Sequence, residues 1–382
     1  MSDVVVIGAG VVGASCAYYA ARAGLSVTVL ERDTVGGGTT SRGEGNILVS
    51  DKAPGAEMEL ALVSLRLWRE LGEDLGGARF ELEEKGGVVV ATTTSGLATL
   101  HEFSRTQSRR GVDARPVCGE ELHDYEPHLA RDLPGGVYYP QDMQVQPVLA
   151  AASLLAAARS MGARVLTGVE VTGAATGSDG RLTAVHTSQG TEPAGAVVNA
   201  AGTWAGAVAE LFGCAVPVLP RRGFVLVTEP LPRVVRHKVY SAEYVENVAS
   251  DQAGLETSAV VEGTQGGTVL IGASRERVAF DPTLSVPVVR RLAAQAVRLF
   301  PVLADVRLMR VYRGFRPYCP DHLPVIGADS RVLGLFHACG HEGAGIGLAP
   351  ATGRILSQLL VGEEPDLDPA PFDPMRFAGV DA

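Results

Sequence analysis

Gly8-Ala9-Gly10-Val11-Val12-Gly13 fits G-x-G-x-x-G, and Glu31 follows Gly13 by 18 residues. This spacing suits dinucleotide binding. The first glycine permits a tight turn, the second lets the backbone approach a pyrophosphate, and the third lets helix and strand pack closely. Val11 and Val12, at the head of the following helix, offer backbone N–H groups and the positive end of a helix dipole. A carboxylate at Glu31 accepts hydrogen bonds from ribose hydroxyls and repels a 2′-phosphate. NADP is thereby disfavoured, while NAD and FAD both remain.

The surrounding elements must hold this loop. Residues 4–7 form a β-branched run suited to a strand buried on both faces. A small-residue helix is expected over 11–23, ended by Gly24, with a second strand over 26–30. The same punctuation returns in a helix over 148–161 and short strands over 162–166 and 169–171. A hairpin over 182–190, a buried strand over 196–200, a strand over 332–338 and a helix over 345–361 complete this set. Between these pieces, residues 80–93 and 221–280 are richer in alternating strands. The expected fold is α/β with an α+β second domain. A Rossmann-like FAD/NAD(P)-binding domain is built from 1–79, 140–215 and 311–382, and a β-sheet-rich substrate domain is inserted as 80–139 and 216–310.

Composition narrows the partners. The 382 residues carry 33 basic and 43 acidic groups, a net charge of −10, which offers no broad surface to nucleic acid. Apolar runs are too short and glycine-broken to span a bilayer, and no leader pattern precedes residue 4. Five scattered cysteines without a CxxC pair point to reduced thiols in a cytoplasm and to no metal site.

Several stretches resemble the D-amino-acid oxidase/glycine oxidase superfamily of FAD-dependent oxidoreductases. They are the loop 36–46 (Gly-Gly-Gly-Thr-Thr-Ser-Arg-Gly-Glu-Gly-Asn), 142–147 (Asp-Met-Gln-Val-Gln-Pro) and 197–204, ending Ala-Ala-Gly-Thr-Trp. Residues 313–317 (Arg-Gly-Phe-Arg-Pro) and 340–353, beginning Gly-His-Glu-Gly-Ala-Gly-Ile, belong to the same set. The wording is closest to catalytic subunits of D-hydroxyproline and opine dehydrogenases. The resemblance implies FAD and places it against Gly8, Gly10, Val11, Val12, Gly13, Glu31 and Arg32. It adds Thr39, Thr40, Ser41, Arg42, Glu44, Gly45, Asn46, Val171, Ala201, Gly202 and Trp204. The last group is Gly340, His341, Glu342, Gly343, Ala344, Gly345 and Ile346, where glycines bring helix N–H donors to the charge of a reduced flavin. The cysteine that tethers flavin in some relatives falls on Gly314, so the FAD is expected to be non-covalent.

The resemblance makes Arg316 the holder of a substrate carboxylate, through a planar grip that lysine cannot reproduce. The alternative for Arg316 is to neutralise an acidic patch or cap the helix that precedes it. His341 either contacts ring or substrate or makes a structural hydrogen bond. Tyr240, Tyr244 and Glu262 either shape specificity or serve core and surface. A second arginine of glycine oxidase falls on Gly343, and its pocket tyrosine on Val260, so glycine is not the expected substrate. The oxygen-activating lysine of monomeric sarcosine oxidase falls on Leu270, and none of Lys52, Lys85 and Lys238 is expected near the flavin. The expected reaction is oxidation of the C–N bond of a D-amino, imino or N-substituted amino acid to an imine. Electrons pass to a partner or dye more readily than to oxygen. Hydroxy-acid oxidation and a non-catalytic flavin relay are the alternatives. The resemblance also implies a heteromeric complex with a second flavin subunit and an iron–sulfur subunit.

Overall fold

The computed structural model describes residues 2–248 and 252–378. Its first sheet runs, edge to edge, Val325–Ala328, Leu335–Cys339, Gly190–Asn199, Ser2–Ile7, Val27–Glu31 and Arg164–Thr167. All neighbours are parallel except the outermost pair, Val325–Ala328 with Leu335–Cys339. Val4, Val5 and Val6 are almost wholly buried, as a strand covered on both faces requires. Gly190–Asn199 serves twice. Its first residues close an antiparallel meander with Leu182–Thr187 and Val171–Thr176, and its last six lie parallel to Ser2–Ile7. The expected buried strand is therefore the second half of a ten-residue strand whose first half is the return arm of the expected hairpin. Chain connections diverge on either side of Ser2–Ile7, which opens a crevice at its C-terminal end.

The helices Val11–Arg22, Pro147–Ser160 and Gly345–Val361 follow the expected spans. Val11–Arg22 and Gly345–Val361 touch so closely that a Cβ at Gly353 would sit 2.6 Å from Ser15 Oγ. Pro350 inside Gly345–Val361 has no N–H for the Ile346 carbonyl. The Trp68 indole supplies the missing donor, at 3.2 Å from Ile346 O and 3.1 Å from Gly347 O.

The second sheet runs Leu308–Tyr318, Leu219–Thr228, Val269–Arg275, Glu256–Gly263, Lys238–Ser241, Gly87–Ala91, Gly135–Tyr139 and Arg115–Cys118. Helix Val286–Leu299 covers one face through Val288, Leu292, Ala296 and Leu299, an i, i+4, i+8, i+11 stripe. The strand Leu308–Tyr318 pairs along its whole length with Leu219–Thr228, so the expected boundary at residue 311 cuts through an element of the second sheet. Residues 81–86, expected to begin a strand-rich stretch, precede the strand Gly87–Ala91. Among the described residues no helix is long and apolar enough to cross a membrane.

Candidate functional site

The crevice beside Ser2–Ile7 continues into a cavity between the two sheets. Its wall includes Gly8, Gly10, Val11, Val12, Glu31, Arg32, Thr39, Thr40, Arg42, Glu44 and Asn46. Val171, Ala201, Gly202, Trp204, Arg316, His341, Glu342, Gly343, Gly345 and Ile346 complete the expected residues on that wall. Gly8 has φ +104°, and a Cβ on it would lie 2.6 Å from the Ala200 carbonyl oxygen. In both helices that open onto the cavity the N-cap residue, Gly10 or Ala344, makes no side-chain capping bond. Thr40 Oγ1 accepts from the Val11 N–H at 3.0 Å. Glu31 is fixed by the Ala9 and Asp33 N–H groups, each 2.8 Å from one carboxylate oxygen. Glu44 Oε1 is buried on this wall without a hydrogen-bond partner.

Five expected contacts stand elsewhere. Gly13 packs behind the wall, where a Cβ would lie 2.0 Å from the Gly8 oxygen, and Gly45 similarly meets Val145 O at 2.0 Å. Ser41 turns its hydroxyl back to the carbonyls of Gly37 and Gly38. Gly340, with φ +74°, packs against Cys319 and Val325. Ala344 lines a neighbouring cavity. Thr39 is on the wall, but its hydroxyl donates to Phe315 O at 2.7 Å and ties the loop to the second sheet. At the other end Trp204 stacks on Phe280 at 5.6 Å, with the Arg32 guanidinium 4.2 Å from its ring centre.

The neighbouring cavity, about 740 Å³, shares Arg316, Tyr244, His341, Glu342 and Gly343 with the first. Arg316 crosses above Gly223 and donates to Ser274 O at 2.8 Å. Only glycine permits this crossing, since a Cβ at 223 would be 2.0 Å from Arg316 Nη1. Burial, and next the adjacent Arg275, pull the Arg316 guanidinium below its ordinary range. No carboxylate pairs with Arg316 among the described residues. His341 is buried, its Nε2 2.9 Å from Thr352 Oγ1, and that hydroxyl already donates to Leu348 O. The ring therefore donates from Nε2 and is neutral, with burial holding it down to about 3. The structural hydrogen bond is present, and the ring also borders both cavities.

Glu342 accepts from Arg221 Nη1 at 2.7 Å and pairs with His322 at 3.1 Å. Burial pushes its carboxyl up, but His322, Arg275 and Arg221 outweigh that and hold it at about 2. Tyr240 is buried away from the cavities and donates to Ser50, and Glu262 is buried with Lys85 and Lys238. Of the three specificity candidates, Tyr244 reaches the site. Arg275 and Gly223 were not among the expected residues, yet both wall the cavities.

The expectation that no lysine lies near is corrected. Lys238 Nζ bonds the Asn46 side chain, on the first cavity's wall, and Lys52 lines the second. Both are tied to acids: Lys238 to Glu262 at 3.6 Å, and Lys52 to Asp51 and Glu57 at 3.1 and 3.2 Å. Among the described residues one group of metal-ligand types converges, Cys214, Asp329 and His337. Its lone pairs are committed, because Asp329 accepts from Arg331 and His337, and His337 Nδ1 faces the Asn199 amide at 3.3 Å.

A parallel-sheet crevice joined to a β-walled pocket with an unpaired guanidinium defines a two-layer oxidoreductase architecture. The chain belongs to the DAO family, FAD dependent oxidoreductase, whose model matches residues 3–359. It is 29% identical to hydrogen cyanide synthase subunit HcnC of Pseudomonas aeruginosa, over 98% of this chain and 96% of that one. Glycine oxidase of Geobacillus kaustophilus is 30% identical over 99% and 97% of the two chains. A crystal structure of glycine oxidase from Geobacillus kaustophilus superposes with a TM-score of 0.88 over 98% of each chain. L-proline dehydrogenase from P. horikoshii gives 0.89 at 25% identity, over 99% and 98%. The protein is thus an FAD-dependent amino-acid or amine oxidoreductase with a Rossmann-like nucleotide-binding domain. NAD, left open by the glycine loop, is set aside.

Proposed function

We propose that the protein oxidises the C–N bond of a D-amino, imino or N-substituted amino acid to the imine, which water then hydrolyses. The observation that carries this reading is Arg316, held over Gly223 by the Ser274 carbonyl on the wall common to both cavities. A guanidinium without a carboxylate of its own grips one from the substrate at two points and fixes the α-carbon. FAD, when bound, would supply the hydride acceptor for this oxidation. The wall fits this group. The helix starts at Val11 and Gly345 face anionic parts, Glu31 accepts from hydroxyls, and the unpartnered Glu44 oxygen calls for a donor. His341, neutral, keeps the wall dry and shaped without exchanging a proton. The FAD is held without a covalent tether. Gly314 carries no side chain to bond it, and Cys319 is buried with its thiol pushed up to about 12 by burial.

The parallel-sheet layer is the nucleotide domain in this reading, and the second sheet carries the substrate wall. Electrons leave to a partner or dye more readily than to oxygen, because both nearby lysines are tied to carboxylates. A heteromeric complex in the cytoplasm fits the name of the HcnC relative, a synthase subunit. The test is anaerobic flavin bleaching across D-amino acids, cyclic imino acids and opine-type secondary amines. Arg316→Ala should slow bleaching at least about a hundredfold while retaining flavin. Undiminished bleaching in that variant overturns the clamp, and rapid reoxidation of the reduced protein in air overturns the acceptor.

A further inference from the structure

We propose that Arg275 is a second anion anchor of the substrate cavity, so that the substrate is an amine bearing two carboxylates. This rests on the reading that Arg316 clamps the first. Arg275 ends the strand Val269–Arg275, is 4% exposed, and lines the 740 Å³ cavity together with Arg316. Its Nη1 is buried with no hydrogen-bond partner, and its Cζ lies 5.0 Å from the centre of the Tyr244 ring, which orients the guanidinium plane. A buried guanidinium left unpaired is costly, so the charges around it have to be accounted for. Each acid on the cavity wall is already committed. Asp51 and Glu57 hold Lys52, and Asp321 holds Arg376. Glu342 holds Arg221 and His322, and Glu243 accepts from Thr92. Arg221, on the same sheet face, is balanced again by Glu256 at 2.9 Å. Among the described residues this leaves two guanidiniums, Arg275 and Arg316, facing one cavity with no carboxylate in ion-pair contact with either, Glu342 acting on them only from a distance. One α-carboxylate satisfies one of them. A second carboxylate on the side chain or on the nitrogen substituent satisfies the other.

The test uses the FAD-loaded protein and two readouts. Calorimetry measures binding of the non-oxidisable pairs succinate against propionate and glutarate against butyrate. Anaerobic stopped flow measures flavin reduction by D-glutamate and iminodiacetate against D-alanine and sarcosine. The dicarboxylates are expected to bind at least about tenfold more tightly than their monocarboxylate partners. Arg275→Met is expected to erase that preference, leaving monocarboxylate binding within about threefold, with Arg275→Lys restoring part of it. Because Arg275→Met removes an unpaired buried charge, its melting temperature is expected not to fall. Arg275→Gln serves if the methionine variant misfolds. Equal affinity for the two classes, or a preference that survives both neutral variants, overturns the proposal while amine-driven bleaching leaves the reaction intact. A preference that depends on Arg275 without bleaching by any amine supports the anchor and removes the assigned reaction.

Discussion

At the scale of single residues, His341 shows how burial decides a role. The loop places an imidazole on the wall of both cavities, where a proton carrier is easily imagined, yet its depressed value of about 3 keeps it neutral across the working range. The linkage has a definite sign. The unfolded ring titrates at its ordinary 6.5 and the folded ring at about 3, so its contribution to stability is complete above 6.5 and lost as pH falls toward 3. Between those limits the expected slope is about 1.4 kcal/mol per pH unit. His341→Gln retains a donor for Thr352 and is expected to flatten denaturant-derived stability between pH 4 and 6.5. The pH profile of flavin reduction between 6 and 9 should be the same in both proteins, and an inflection lost in the variant would restore an acid–base role. Glycine spacing and motif wording made Glu31 and Arg316 visible in the sequence. Arg275 was not visible, for a physical reason. Its place on the cavity wall is set by strand pairing with segments distant in sequence, and no motif around residue 275 marks it.

Among the elements, the three-strand group Leu308–Tyr318, Leu219–Thr228 and Val269–Arg275 sets the substrate side. Arg316 starts on the first, crosses the second at Gly223 and is anchored on the third at Ser274. Gly223→Ala is expected to push the guanidinium off Ser274, weakening substrate binding at least about tenfold. Flavin content should be unchanged, and stability should fall by about 1–3 kcal/mol through overpacking. Titration by flavin difference spectra measures the first effect, and unchanged affinity would show that the crossing does not position Arg316. Helix Gly345–Val361 offers a parallel case. Trp68→Phe leaves the carbonyl freed by Pro350 without its indole donor, and denaturant titration should register a loss of about 1–3 kcal/mol. The strand–turn–helix pieces of the parallel layer were legible because their signals are local. The place of Leu308–Tyr318 in the second sheet was not, since pairing with a strand some ninety residues earlier leaves no mark in either segment's own pattern.

Over the whole molecule, the cavity lies along the junction of the two sheets, and the loop 36–46 is one of the pieces of chain that bond across it. Thr39 bonds Phe315 O, Tyr312 donates to Gly43 O at 3.1 Å, and Gly314 leaves room for the Arg42 side chain, whose Cβ would be 2.5 Å from a Cβ at 314. The loop's inner face is rich in glycine and borders the cavity, so a bound FAD supplies contacts that the protein alone does not. A ligand that binds only the folded state at about a thousand times its Kd adds about 4 kcal/mol of stability. Removing FAD is therefore expected to lower Tm by roughly 5–10 °C. The same treatment should raise amide exchange in the loop 36–46 and at the heads of helices Val11–Arg22 and Gly345–Val361. Exchange in the distal strands Arg115–Cys118 and Gly135–Tyr139 should change little, because they lie at the far edge of the second sheet. A uniform rise across both sheets would mean that FAD governs global stability without bridging the layers. An unchanged loop would place the cofactor's contacts elsewhere in the crevice.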